Sequence, residues 1–228
     1  MSGFTDDKFL DGRLTLRQPV RGFRAGLDAV MLAASIPARP GQSLLELGSG
    51  VGTASLCVAA REPDCSILGL EIDRELVAFA QHNAAANALP RVDFIEADVF
   101  ELPARARKGF DHVFCNPPFH GPGGEEPPDR GRARALHDKG VLAGWLAAGM
   151  KRVAANGTFT AIIRADRLGE ALRALPDAGV SIFPLWPKVG EAAKRAIVRV
   201  RNGARTPLSV LPGLVLHGAD GRYTPQAD

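Results

Sequence analysis

What the 228-residue chain lacks narrows it first. It holds three cysteines, Cys57, Cys65 and Cys115. That is an odd number, without metal-site spacing or the density of a disulfide scaffold, so they read as reduced thiols of a cytoplasmic protein and no metal is expected. No stretch approaches the roughly 18 apolar residues of a membrane span. Asp6, Asp7 and Lys8 stand where a signal peptide would carry its apolar segment, so no secretory leader is expected. Charge of neither sign dominates: the net charge is +3 and the pI about 9.0. A nucleic-acid partner is permitted without being demanded. No internal repeat and no linker divides the chain, so residues 1–228 are read as one domain. Within it, residues 1–40 form an N-terminal hairpin and helix extension, 41–205 the core, and 206–228 a C-terminal edge segment.

What is present is a chain of alternating short elements with ample apolar content, 46%. Weak alternation over residues 4–21 reads as a hairpin. Asp28 stands where an N-cap would precede the apolar helix Ala29–Ser35, and capping or a binding role stay open for it. Strands are expected at Ser43–Leu47, Ser66–Glu71, Val92–Ile95, Phe110–Cys115, Thr158–Ile163, Val180–Leu185 and Ala196–Val200. Leu208–Leu216 reads as one further edge strand. Helices are expected at 53–61, 74–87, about 140–154 and 167–174, and Asn156-Gly157 as a turn. Strands alternating with helices imply an α/β protein with a mostly parallel sheet and helices on both faces, a Rossmann-like architecture.

Three strand ends carry polar groups that could hold one ligand. The first strand runs into Gly48-Ser49-Gly50-Val51-Gly52, then a helix. This spacing differs from the dinucleotide pattern, but it also lets a ligand reach the backbone and the helix N–H groups. Glu71 ends the second strand, where a carboxylate accepts from ribose hydroxyls. Asp98 follows the third strand and can accept from an adenine amine. A cradle for an amino-acid group, a ribose acceptor and an adenine acceptor are what S-adenosylmethionine requires.

The fourth strand delivers Asn116-Pro117-Pro118-Phe119. Two prolines fix φ and remove two donors, leaving carbonyls that only accept. Asn116 adds a further acceptor and an NH₂ donor. Phe119 adds a flat face. The tip suits a planar group bearing an amine. Cys115 beside it reads as a small buried hydrophobe rather than a nucleophile. Residues 120–138 are rich in Gly, Pro and charge, and read as a surface loop beside the tip.

These residues resemble class I S-adenosylmethionine-dependent methyltransferases that modify exocyclic amines, over about residues 20–205. The stretch Phe23–Ala33, with Ala193-Lys194-Arg195, is similar to the bacterial family that methylates N6 of an anticodon-adjacent adenine in a valine tRNA. The resemblance implies a seven-stranded sheet with an antiparallel last strand. It implies catalytic roles for Asn116, Pro117, Pro118 and Phe119. Cofactor contacts are implied for Arg24, Asp28, Glu46, Gly48, Ser49, Gly50, Gly52, Glu71, Ile72, Asp98, Val99 and Asn116. RNA contacts are expected for Phe119, His120, Arg130, Arg132 and Arg134 from their position at or beside the tip, and for Lys194 and Arg195 near the last two strands, and His120 and each of those arginines and lysines also reads as solvated surface polarity. The Phe119-His120 pair is similar to ribosomal RNA guanine-N2 methyltransferases, and Glu46 stands where Asp is commoner. The expected activity is adenine-N6 methylation of tRNA by a monomer or weak homodimer. Guanine-N2 methylation, protein glutamine methylation and a non-catalytic cofactor-binding RNA module are the alternatives.

Overall fold

The structure, a computed structural model, describes residues 3–20, 24–118 and 141–227. The chain opens with an antiparallel hairpin, β1 (Phe4–Phe9) and β2 (Leu14–Pro19), paired from Phe4–Pro19 to Phe9–Leu14. Leu14 and Leu16 of β2 are buried. The backbone groups of Thr15 and Arg17, facing away from β1, meet side chains of helix α3 (Arg74–Ala86) and its cap. The Asn83 carboxamide accepts from Arg17 N at 2.7 Å and donates to Arg17 O at 3.0 Å. The Asn87 carboxamide does the same for Thr15, at 3.0 and 2.9 Å. Two asparagines one helical turn apart thus satisfy an edge that would otherwise lack backbone partners.

The remaining elements alternate. They are α1 (Leu27–Ser35), β3 (Ser43–Leu47), α2 (Thr53–Arg61), β4 (Ser66–Glu71), α3, β5 (Val92–Glu96), β6 (Phe110–Cys115), α4 (Val141–Met150), β7 (Val153–Arg164), α5 (Leu168–Ala174), β8 (Val180–Trp186), β9 (Arg195–Arg201), β10 (Ser209–Val210) and β11 (Leu214–Val215). The main sheet runs β10-β8-β9-β7-β6-β3-β4-β5, with β11 also on β8. Strands β3 to β7 pair in parallel, and β9 lies antiparallel between β7 and β8. Strands β3 to β9 are the expected seven, mostly parallel with β9 antiparallel, and the two-residue strands β10 and β11, parallel to β8, extend the sheet to nine.

Strands β3 to β9 feed both faces. On β3, Leu44 enters one core cluster while Leu45 and Leu47 enter another; on β6, Phe114 enters the first while Val113 and Cys115 enter the second. Helices α1, α2 and α3 cover the first face, and α4 and α5 the second. Phe94, Phe114 and Phe159 are fully buried, each burial favouring the fold by about 1.5–3 kcal/mol. No helix of the described residues is long and apolar enough to cross a membrane.

Four local expectations are corrected. Asn156-Gly157 is not a turn but part of a bulge in β7. Residues 154–157 face Asp111 alone, between the pairs Phe110–Val153 and His112–Thr158. Gly157 is needed there because a Cβ would come within 2.5 Å of the Asp111 carbonyl oxygen. The helix expected to reach 154 stops at Met150, because Val153 already pairs in β7. The edge strand expected over Leu208–Leu216 is two short strands, broken at Pro212-Gly213, where Gly213 has φ +81°. Asp28 is not an N-cap: Gly26 holds that position, and Asp28 lies within the first turn of α1.

Candidate active site

The parallel register brings the ends of four strands side by side. Leu47 stands opposite Leu70 of β4 and Cys115 of β6, and Glu71 opposite Glu96 of β5. The segments that follow these residues share one carboxyl edge, where open α/β sheets bind ligands. Gly48, Glu71, Asp98 and Asn116 all belong to this edge.

The turn after β3 uses the freedom of glycine three times. Gly48, Gly50 and Gly52 have φ of +66°, +54° and +87°, the left-handed region that costs other residues strain. Gly52 is the N-cap of α2 and offers no side chain to cap it. Glu46 does so instead, from the strand. Its Oε2 accepts from Ser55 N at 3.1 Å and from Ser55 Oγ at 2.5 Å. Glu46 is 3% exposed. Burial pushes its carboxyl up to about 8, opposed by the bonds from Ser55 and aided by the charge of Glu71.

Glu71 locks the second strand end to the first. Its Oε2 accepts from Gly50 N at 2.8 Å, while Oε1 accepts from Ile72 N at 2.8 Å and Asp73 N at 3.0 Å. Asp73 in turn caps α3, accepting from Glu75 N and Leu76 N. Asn83 ties this region to the hairpin, since its carboxamide also donates to Val51 O at 3.0 Å. Ile72 is 45% exposed at the edge.

Asp98 is half-buried and accepts from Phe100 N at 2.9 Å. The residue after it, Val99, turns into the second core cluster. Phe100 is the exposed member, 53% accessible, and its ring meets Trp145 of α4 edge-on at 6.4 Å. Trp145 reaches the glycine turn: a Cβ on Gly48 would lie 2.6 Å from its ring. Phe100 and Trp145 are two residues that sequence reading did not assign to the site. Trp145 read as part of an apolar helix face, and only the packing of α4 against the turn after β3 distinguishes the two roles.

At the tip of β6, Pro117 is buried and Pro118 exposed. The Oδ1 atom of Asn116 is buried without a hydrogen-bond partner among the described residues. Burial holds the neighbouring Cys115 thiol far above its usual value, so it is no thiolate nucleophile. Phe119, His120, Arg130, Arg132 and Arg134 lie outside the described residues.

The other candidates divide. The Arg24 guanidinium donates to Pro19 O at 2.9 Å and pairs with Asp7, so its bonds go to the hairpin. Asp28 pairs with Arg195 Nε at 2.9 Å. Arg195 opens β9 opposite Arg164 at the end of β7, which puts that pair on the same carboxyl edge. Lys194 precedes it, its N–H bonded to Leu185 O at 3.3 Å.

This donor and acceptor set fits S-adenosylmethionine. Besides Asn116 Oδ1, the buried hydroxyls of Ser49 and Thr53, on either side of the last two glycines, have no partner among the described residues. Buried polar atoms are rarely left so, and here three of them cluster at the glycine turn and the neighbouring strand tip. The N-terminus of α2 faces the same edge, suited to a carboxylate.

Comparison with known proteins agrees. The family described as Methyltransferase small domain matches residues 25–128. The tRNA1(Val) (adenine(37)-N6)-methyltransferase of Aeromonas hydrophila is 30% identical, over 88% of this chain and 85% of that protein. The protein of the same name from Haemophilus influenzae is 25% identical, over 98% and 94%. Among solved structures, one described as a predicted O-methyltransferase from Agrobacterium tumefaciens superposes with a TM-score of 0.70 at 27% identity, over 88% of this chain and 93% of that one.

Proposed function

The chain belongs to the family of tRNA1(Val) (adenine(37)-N6)-methyltransferases, and from that premise we propose how its residues methylate adenine N6 in a tRNA, at position 37 as the relatives' name gives it. The observation that carries the reading is Asn116 Oδ1, a buried acceptor without a partner among the described residues. It stands one residue past Cys115, whose strand neighbour Leu47 immediately precedes Gly48. An amine acceptor is thus set directly beside the glycine cradle.

S-adenosylmethionine supplies an electrophilic methyl group when bound. Glu71 would accept from the ribose hydroxyls, Asp98 from the adenine amine, and the glycine turn with Ser49 and Thr53 would hold the amino-acid end. Asn116 Oδ1 and the Pro117 carbonyl would accept the two protons of the target amine. Those bonds favour a pyramidal nitrogen whose lone pair points at the methyl group, and they stabilise the positive charge that develops there. No base is needed before transfer, because the extra proton leaves afterwards to water. The target base must leave its stack to reach the tip, which suits a loop nucleotide. Phe119 would stack on it, and Arg130, Arg132 and Arg134 would meet nearby phosphates. Action on tRNA implies a cytoplasmic protein.

We read residues 1–228 as one working unit, since Asn83 joins the hairpin to the glycine turn. The test is methyl transfer from labelled S-adenosylmethionine to an unmodified tRNA1(Val) transcript, compared with the same transcript carrying guanine at the target position. Label in the first alone supports adenine N6. Label in both sinks the assignment of the atom.

A further inference from the structure

The carboxyl edge continues well past the tip of β6. Strand β8 is antiparallel to β9, which is antiparallel to β7, so β8 and β11 end on the same side of the sheet as Asn116. There His217 and Tyr223 form a stacked pair, ring centroids 4.8 Å apart and planes 25° apart. Their backbones are tied down around them. His217 N donates to Pro187 O at 3.0 Å, Gly218 N to Arg222 O at 2.9 Å, and Thr224 N to Leu216 O at 3.0 Å. Thr224 Oγ1 adds a bond to Val215 O at 2.7 Å.

Tyr223 is nevertheless 47% exposed, although the His217 ring covers one of its faces. A tyrosine held flat against a backing ring, with the rest open to solvent, is a stiff platform that loses little freedom on binding. The segments around it carry two carboxylates, Asp220 and Glu191, and three cations. Lys188 follows Pro187, Arg222 precedes Tyr223, and Lys194 lies just before β9 at the same edge. None of the three has a carboxylate partner within ion-pair distance among the described residues. An exposed aromatic plane among unpaired cations is complementary to a nucleobase and its phosphates.

We propose that the His217–Tyr223 pair is a second nucleobase platform, which stacks a base of the same RNA away from the one methylated. The proposal rests on the RNA activity above. Four strand spacings separate β6 from β11, about 19 Å. That is about five to six stacked nucleotides, so the platform reads a flanking base and not the target.

The test uses the full chain and an unmodified tRNA1(Val) transcript. Tyr223→Leu keeps an apolar side chain but removes the plane. It is expected to raise the RNA Kd and KM about 5- to 150-fold, the range that stacking of one base corresponds to, with kcat at saturating RNA retained. Tyr223→Trp should restore binding. The thermal shift given by S-adenosylhomocysteine reports folding of each variant. Ultraviolet crosslinking of the wild-type protein, followed by mass spectrometry, should join an RNA base to the peptide carrying Tyr223. Wild-type RNA affinity in Tyr223→Leu overturns the platform, as do crosslinks that form elsewhere and never at Tyr223. A wild-type protein that methylates no RNA overturns the underlying activity and the platform with it.

Discussion

The six-membered ring of Trp145 abuts Gly48, so close that a Cβ on Gly48 would approach it to 2.6 Å. Helix α4 and the glycine turn therefore form one packed unit, and Phe100 meets the same indole edge-on. Gly48→Ala meets two penalties, the left-handed φ of +66° and the contact with Trp145. A loss of about 2–4 kcal/mol in stability is expected. The wild-type chain should gain about 2.7 kcal/mol from S-adenosylhomocysteine at 100 times its Kd, and the variant much less. Thermal denaturation with and without the ligand checks both. Adding Trp145→Ala should recover only the steric part.

Asn116→Ala tests the acceptor at the tip. Its expected effect is a loss of about 1.5–3 kcal/mol in transition-state stabilisation, read from kcat/KM. The thermal shift with S-adenosylhomocysteine should persist, because the glycine turn and Glu71 are untouched. Turnover equal to wild type would remove Asn116 from the mechanism.

Glu46 predicts a pH dependence of stability. Its carboxyl is raised to about 8 in the folded state, above an unfolded value near 4.3. The folded protein thus binds more protons than the unfolded chain between these values. The stabilisation is full below the unfolded value and is lost as pH rises through about 8. Glu46→Gln keeps an acceptor for Ser55 and cannot ionise. Chemical denaturation from pH 5 to 9 should show a smaller fall in stability for the variant than for the wild type. Parallel curves would contradict the burial of an ionisable Glu46.

Asn83 joins three elements through one fully buried carboxamide, bonded to Arg17 N, Arg17 O and Val51 O. Asn83→Ala leaves those backbone groups without partners, and a cost of about 2–4 kcal/mol is expected. Asn87→Ala, nearer the surface, should cost less. Because Val51 belongs to the glycine turn, Asn83→Ala should also weaken S-adenosylhomocysteine binding, which calorimetry would read.

Strands β3 to β6 were legible because each is a short apolar run closed by a glycine, a carboxylate or, after one asparagine, a proline. Glu71 and Asp98 announced themselves as carboxylates at strand ends, and the Asn-Pro-Pro run is conspicuous in any chain. Asn83 was not legible: an asparagine inside a helix reads as surface polarity until β2 is laid against it. Arg24 shows the opposite failure, a charged residue in a suggestive stretch whose bonds go to Pro19 and Asp7. Val99 and Phe100 show that adjacency to an acidic residue does not say which neighbour turns inward. The bulge at Asn156-Gly157 looked like a turn because Asn156 takes the left-handed φ of +62° that turns use, while Gly157 is there to spare the Asp111 carbonyl a Cβ.

The most direct measurement is the identity of the modified nucleoside. The purified chain would be incubated with labelled S-adenosylmethionine and tRNA lacking the modification, and the tRNA digested to nucleosides. The expected result is label in N6-methyladenosine alone, abolished or strongly reduced by Asn116→Ala. Label in N2-methylguanosine, or none in RNA, would contradict it.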